Sequence, residues 1–167
     1  MSTATASGRA HGLSGPAEAP LISGAVADPV REFIRAFNDQ DLDAFAETLD
    51  PEVEIHAARG LRKGREAARL WGTRASGGVQ QQIELDELYE SERRHVALAM
   101  IRRRWHWDED GSPAGEDAIN WLFELRNGRV ASWRSFEDRS EAIAAAAERG
   151  LVIPPAGHER SGRHGAQ

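Results

Sequence analysis

Residues 116–138 read EDAINWLFELRNGRVASWRSFED, and they decide the fold. Two strand-like runs, Glu116 to Arg126 and Arg129 to Asp138, flank Asn127-Gly128, a dipeptide that adopts positive φ readily and so makes tight hairpin turns. Further back, Gln80 to Glu90 and His95 to Trp107 also repeat with a period of two, so four long strands are expected in succession after Gly77-Gly78. Strands grouped in this way, without helices between them, argue against crossover connections. One face of their sheet must be covered by helices from elsewhere in the chain.

The preceding residues supply that cover. Asp28-Pro29 suits a helix start, because Asp accepts orphan backbone N–H groups and Pro has none to lose; Val30, Phe33, Ile34 and Phe37 then form one apolar stripe. After a turn at Asn38 to Gln40, the residues Leu42, Phe45, Ala46 and Leu49 repeat the helical spacing, and Asp50-Pro51 is expected to end the segment. Val53 to Ala57 reads as a short strand, Gly60 to Gly64 as a turn, and Ala67, Ala68, Leu70 and Trp71 as part of a third helix. Asp138 with Glu141 makes a capping box ahead of the alanine-rich segment Ala142 to Arg149, which Gly150 stops. The expected order is ααβαββββα: an α+β domain whose curved, mostly antiparallel sheet wraps around the N-terminal helices and encloses a cavity.

With 167 residues the chain suits one domain, placed at 28–152. Residues 1–27 and 153–167, rich in Ala, Ser, Gly, Pro and charge, are expected to be disordered tails. No apolar run of signal-peptide or membrane-spanning length occurs, and cysteine is absent, so a reducing cytoplasm is the expected compartment. A formal charge of −6 disfavours nucleic acid and anionic membranes as partners. The histidines at positions 11, 56, 95, 106, 158 and 164 show no metal-binding spacing, and the glycines fit no phosphate-binding loop, so neither a metal nor a nucleotide cofactor is expected.

Four segments, "LDPEVEIHAARG", "KGREAARLW", "FELRNGRVASWRSFEDRSEAI" and "AAAAERGL", together resemble the SnoaL-like branch of the nuclear transport factor 2-like superfamily, over about Asp28 to Val152. That resemblance implies a cone with a largely apolar cavity, the fold of ketosteroid isomerases, polyketide cyclases and limonene epoxide hydrolases. It also implies a homodimer through the outer sheet face. The isomerase mechanism needs an aspartate base and two oxyanion donors. The corresponding positions here hold Ala57, Phe33 and Asn120, so two of three roles are chemically empty and the mechanism is rejected.

Asn120 remains as a hydrogen-bond donor within an apolar strand, either facing a ligand or satisfied by its neighbours. His56 adjoins the lost base and is the histidine best placed to move a proton, although Val53, Ile55 and Ala57 form the opposite and more interior-looking face. Epoxide hydrolases activate water with an Asp-Arg-Asp arrangement, which puts Arg103 with Asp117 or Glu137 under consideration, against ordinary cross-strand ion pairing. In "MIRRRWHW", Arg103, Trp105 and Trp107 share one face and Arg102, Arg104 and His106 the other. Only one set enters a pocket mouth.

The leading expectation is a pocket for a small, mostly apolar organic molecule, supporting cofactor-independent proton transfer, cyclisation or hydration. His56, Asn120 and Glu137 are its candidate catalytic groups. Phe33, Trp71, Ala97, Ala99, Ile101, Arg103, Leu122 and Trp133 are its candidate ligand contacts, with Ala97 and Ala99 leaving room for a guest. The alternative is a non-catalytic dimerisation or interaction module with a filled cavity, in which Trp121 and Phe123 anchor a partner-facing surface.

Overall fold

The structure, a computed structural model, describes residues 24–57, 60–73 and 78–154. Most of both expected tails lies outside the described residues. Within them, three elements pack early: α1 (Ala27–Asn38), α2 (Leu42–Glu47) and, after the first strands, α3 (Arg65–Gly72). The α1 stripe is buried at Val30, Phe33, Ile34 and Phe37. Asp41 caps α2 by accepting from the Ala44 amide at 3.1 Å.

Six strands form one curved mixed sheet among the described residues, in the order β2-β1-β6-β5-β4-β3. They are β1 (Leu49–Ala57), β2 (Gly60–Lys63), β3 (Val79–Ser91), β4 (Val96–Trp107), β5 (Pro113–Arg126) and β6 (Arg129–Phe136). The expected order stands, with the four-residue β2 added where a turn was anticipated; it pairs antiparallel with the end of β1. The first strand also starts earlier than expected. Leu49 belongs to β1 and not to α2, and Asp50-Pro51 falls where the β1–β6 register shifts, the kind of irregularity that accommodates a residue with no N–H.

All the long strand pairs are antiparallel except β1 and β6, which run parallel with Ile55 opposite Trp133. Asn127 and Gly128 turn the β5–β6 hairpin with φ of 52° and 73°. The last helix, α4 (Arg139–Glu148), begins as the capping box requires: the Asp138 carboxylate accepts from the Glu141 amide at 2.9 Å.

Two apolar layers sandwich the sheet. On its inner side Phe33 is fully buried, with ring centroids 4.8 Å from Phe45, 5.0 Å from Trp133 and 5.3 Å from Phe123. On the outer side Val96, Leu98, Met100 and Leu122 pack under Ala142 and Ala146 of α4, together with Leu151 and Ile153. Val26, Ala27 and Ile153, which flank residues 28–152, are buried as well.

Candidate functional site

The inner layer does not close over the sheet's whole length. Where β1 and β6 end, a cavity of about 510 Å³ opens. Its wall is built from three indoles on three different elements: Trp71 of α3, Trp121 of β5 and Trp133 of β6. Trp71 lies 5.8 Å from Trp121 and 5.2 Å from Trp133 in near-perpendicular contacts, the geometry that brings a ring's positive edge to its neighbour's negative face. Ile119, Ala57 and Phe136 complete the apolar lining.

Polar groups line it as well: His56, Gln81, Arg103, Arg134, Ser135 and Glu137. Arg103 donates from Nε to Oδ1 of Asp117 at 2.8 Å and from Nη2 to Oδ2 at 2.5 Å, a bidentate cross-strand pair that holds its guanidinium plane fixed. The Nε of Arg134 is buried and has no hydrogen-bond partner among the described residues. His56 Nε2 stands 3.5 Å from Oε2 of Glu54, whose other oxygen accepts from Lys63 at 3.1 Å. That Lys63 contact is the main reason the Glu54 carboxyl is held below its ordinary pKa.

The candidate residues from the sequence divide into three sets. Trp71, Arg103, Trp133, His56 and Glu137 line the cavity. Phe33, Ala97, Ala99 and Ile101 lie buried behind it in the inner core. The room beside the small residues is occupied, because Ala97 stands opposite Phe123 and Ala99 opposite Trp121, and their missing bulk accommodates those rings. The expectation of space for a guest at Ala97 and Ala99 is corrected accordingly.

Leu122 and Asn120 form the third set, and both point away from the cavity. Leu122 is buried under α4, so it contacts no guest in the cone. The Asn120 side chain donates to the main-chain carbonyls of Phe136 at 3.2 Å and Glu137 at 3.5 Å. Its amide supports the bend leading into α4, which satisfies the buried polar group without any ligand. Their neighbours face the opposite way to that required by the interaction-module reading: Trp121 and Phe123 lie in the inner aromatic core and anchor no outward surface.

Sequence reasoning missed Gln81, Ile119, Ser135 and Arg134 as lining residues, and placed Trp121 on the wrong face. Alternation along β5 was the available signal: it groups Ile119, Trp121 and Phe123 together, and only the packing of Phe33 identifies that group as the inner one. A larger groove of about 720 Å³ lies around Glu54, Lys63, His95, Glu124 and Ser132 on the outer side. No Phe, Tyr or Trp lines it, and the enclosing apolar wall typical of an organic-ligand site is lacking there.

Among the described residues no group of three or more His, Asp or Glu is placed to hold a metal ion, and no helix is long and apolar enough to cross a membrane. No match was found among curated proteins. Solved structures with the same fold include an LEH-like epoxide hydrolase of Mycobacterium tuberculosis, 15% identical over 75% of this chain and 91% of that one, with a TM-score of 0.57. A second protein from the same organism, in complex with estradiol-17β-hemisuccinate, is 12% identical over 70% and 95%, with a TM-score of 0.58. An NTF2-like protein from Anabaena variabilis is 18% identical over 70% and 88%, with a TM-score of 0.57. The model of the SnoaL-like domain matches residues 30–133, more than half of the chain, from Val30 in α1 to the cavity-lining Trp133. The chain thus belongs to the SnoaL-like domain family.

Proposed function

We propose that this protein binds a small, mostly apolar organic molecule in the tryptophan-walled cavity. The observation that carries this reading is the cavity itself: about 510 Å³, within the usual range for ligand sites, with three indoles among its lining residues beside the polar groups of His56, Gln81, Arg103, Arg134, Ser135 and Glu137. Trp121 and Trp133, each 2% exposed, form the buried back of that wall, and the half-buried Trp71 presents the more open indole face. The solved relatives that act on or hold small organic molecules, an epoxide hydrolase and a steroid complex, support the reading by analogy of fold.

The chemistry we assign to the site is cofactor-independent proton transfer, cyclisation or hydration. His56 and Glu137 are its proton-moving groups, and the Arg103–Asp117 pair positions an acceptor or a water molecule. Asn120 has no part in it. Homodimerisation remains part of the proposal, but α4 already covers the apolar centre of the outer face, so two chains would meet on the polar remainder around Glu54, Glu124 and Ser132.

Tryptophan emission reports on the cavity directly. Titration with β-ionone, a compact ring bearing an enone, should quench it saturably, and Trp71→Ala should weaken binding about tenfold. Absence of saturable quenching would refute the binding reading. For any ligand the protein turns over, His56→Ala and Glu137→Gln should each slow turnover; if neither does, the catalytic assignment is wrong.

A further inference from the structure

Of the five tryptophans of the chain, three wall the cavity: Trp71, Trp121 and Trp133. The other two continue outward along β4. Alternation puts Ala97, Ala99, Ile101, Arg103, Trp105 and Trp107 on one face of that strand. The first three are buried in the inner core and Arg103 lines the cavity. Trp105 comes next, its ring centroid 5.2 Å from the guanidinium carbon of Arg103.

On β5, Gly115 stands opposite Trp105, and a Cβ there would lie 3.7 Å from the indole. The ring therefore leans across the neighbouring strand, widening the aromatic surface beyond the cavity mouth. This end of β4 is progressively uncovered: Arg103 and Trp105 are half-buried, and Trp107 is 48% exposed. An apolar ring in this position is continuous with the cavity wall and is joined to it by a cation whose orientation is already fixed.

We propose that Trp105, together with Arg103, forms an outer subsite, and that the ligand is an elongated, planar, mostly apolar molecule with a neutral hydrogen-bond acceptor part-way along. The inference rests on the cavity being a ligand site, as argued above. Length follows from the strand: from Ile119 in the cavity to Gly115 beside Trp105, β5 advances about 13 Å at its usual rise, farther than a compact ring system reaches. The neutral acceptor follows from charge. Asp117 occupies Nε and Nη2 of Arg103 and cancels its charge, leaving N–H donors for a carbonyl or hydroxyl, whereas a carboxylate would also meet the Asp117 carboxylate.

β-Ionone and all-trans-retinol share a ring and differ in the length of the conjugated chain, so together they separate the inner site from the outer one. Both are titrated into the full chain, with tryptophan quenching for each and energy transfer to retinol as a second readout. Trp105→Ala is expected to weaken retinol about tenfold while changing β-ionone by less than about twofold, with Trp105→Phe restoring most of the loss; Trp71→Ala weakens both. If both probes bind, Trp71→Ala weakens both, and Trp105→Ala leaves retinol unchanged, the outer subsite is overturned and the cavity reading stands. If neither probe binds the unaltered protein, or Trp71→Ala affects neither, the cavity reading fails and the subsite with it.

Discussion

The two halves of β4 differ more from each other than either does from its neighbours in the sheet. Val96 to Ile101 is buried on both sides: Ala97, Ala99 and Ile101 against the inner aromatic core, and Val96, Leu98 and Met100 beneath α4. Arg102 to Trp107, on the same strand with unbroken pairing to β3, is half-buried or exposed. There the outer face is a charge ladder, in which Arg102 meets Asp86 at 3.0 Å, and Arg104 meets Glu116 at 2.9 Å and Glu84 at 3.2 Å. The inner face carries Arg103, Trp105 and Trp107. Strand formation is thus separable from burial. The helices decide how far along a strand the core extends, and the cavity sits where their cover runs out.

The largest effect that tests this division is in the covered half. Phe123→Ala, on the neighbouring strand in the inner core, should cost about 3–5 kcal/mol in urea denaturation, whereas Trp107→Ala at the free end should change stability by no more than about 0.5 kcal/mol. A comparable loss at both positions would break the comparison.

Intermediate effects test the two faces. Leu122→Ala should cost about 2–5 kcal/mol through a cavity left under α4, and Asn120→Ala about 1–2 kcal/mol through the loss of its side-chain hydrogen bonds to the Phe136 and Glu137 carbonyls. Both should leave β-ionone affinity unaltered, since both side chains lie on the side of the sheet opposite the indoles. Weakened binding without unfolding would return them to the site.

The smallest effect concerns how α4 is fastened. Arg139, in its first turn, makes two hydrogen bonds to Glu87 of β3, at 3.1 and 3.2 Å, and Tyr89 donates to the same carboxylate. These contacts, Arg139 foremost, hold the Glu87 carboxyl below its ordinary pKa. A depressed folded-state value means that the contribution is complete above the unfolded pKa and disappears as the pH falls through the folded one. Arg139→Ala should therefore cost less than about 1 kcal/mol near neutrality, because both side chains are well exposed, and the difference between variant and parent should shrink on acidification. A difference that grew at low pH would contradict the assignment.

Much of this architecture was legible beforehand, for local reasons. The stripe Val30, Phe33, Ile34, Phe37 announces a buried helix face, Asn127-Gly128 a hairpin, and Asp138 with Glu141 a helix start, because each depends on residues within a turn or two of one another. The site was legible only in part. Trp71, Trp133, Arg103, His56 and Glu137 line the cavity, while Asn120 and Leu122 lie on the other side of the sheet, and Trp121, an outward anchor only in the alternative reading, is a wall residue.

The sequence by itself determined that β4 and β5 have two chemically distinct faces, since a period of two separates odd from even positions whatever surrounds them. It could not say which face is concave. That was decided when Phe33 of α1 packed against Phe123 and Trp133 on one side and α4 came down over Leu98 and Leu122 on the other. Both faces carry large apolar side chains, so hydrophobicity alone gives no preference between them; the choice depends on contacts between residues distant in the chain, such as the parallel pairing of β1 with β6.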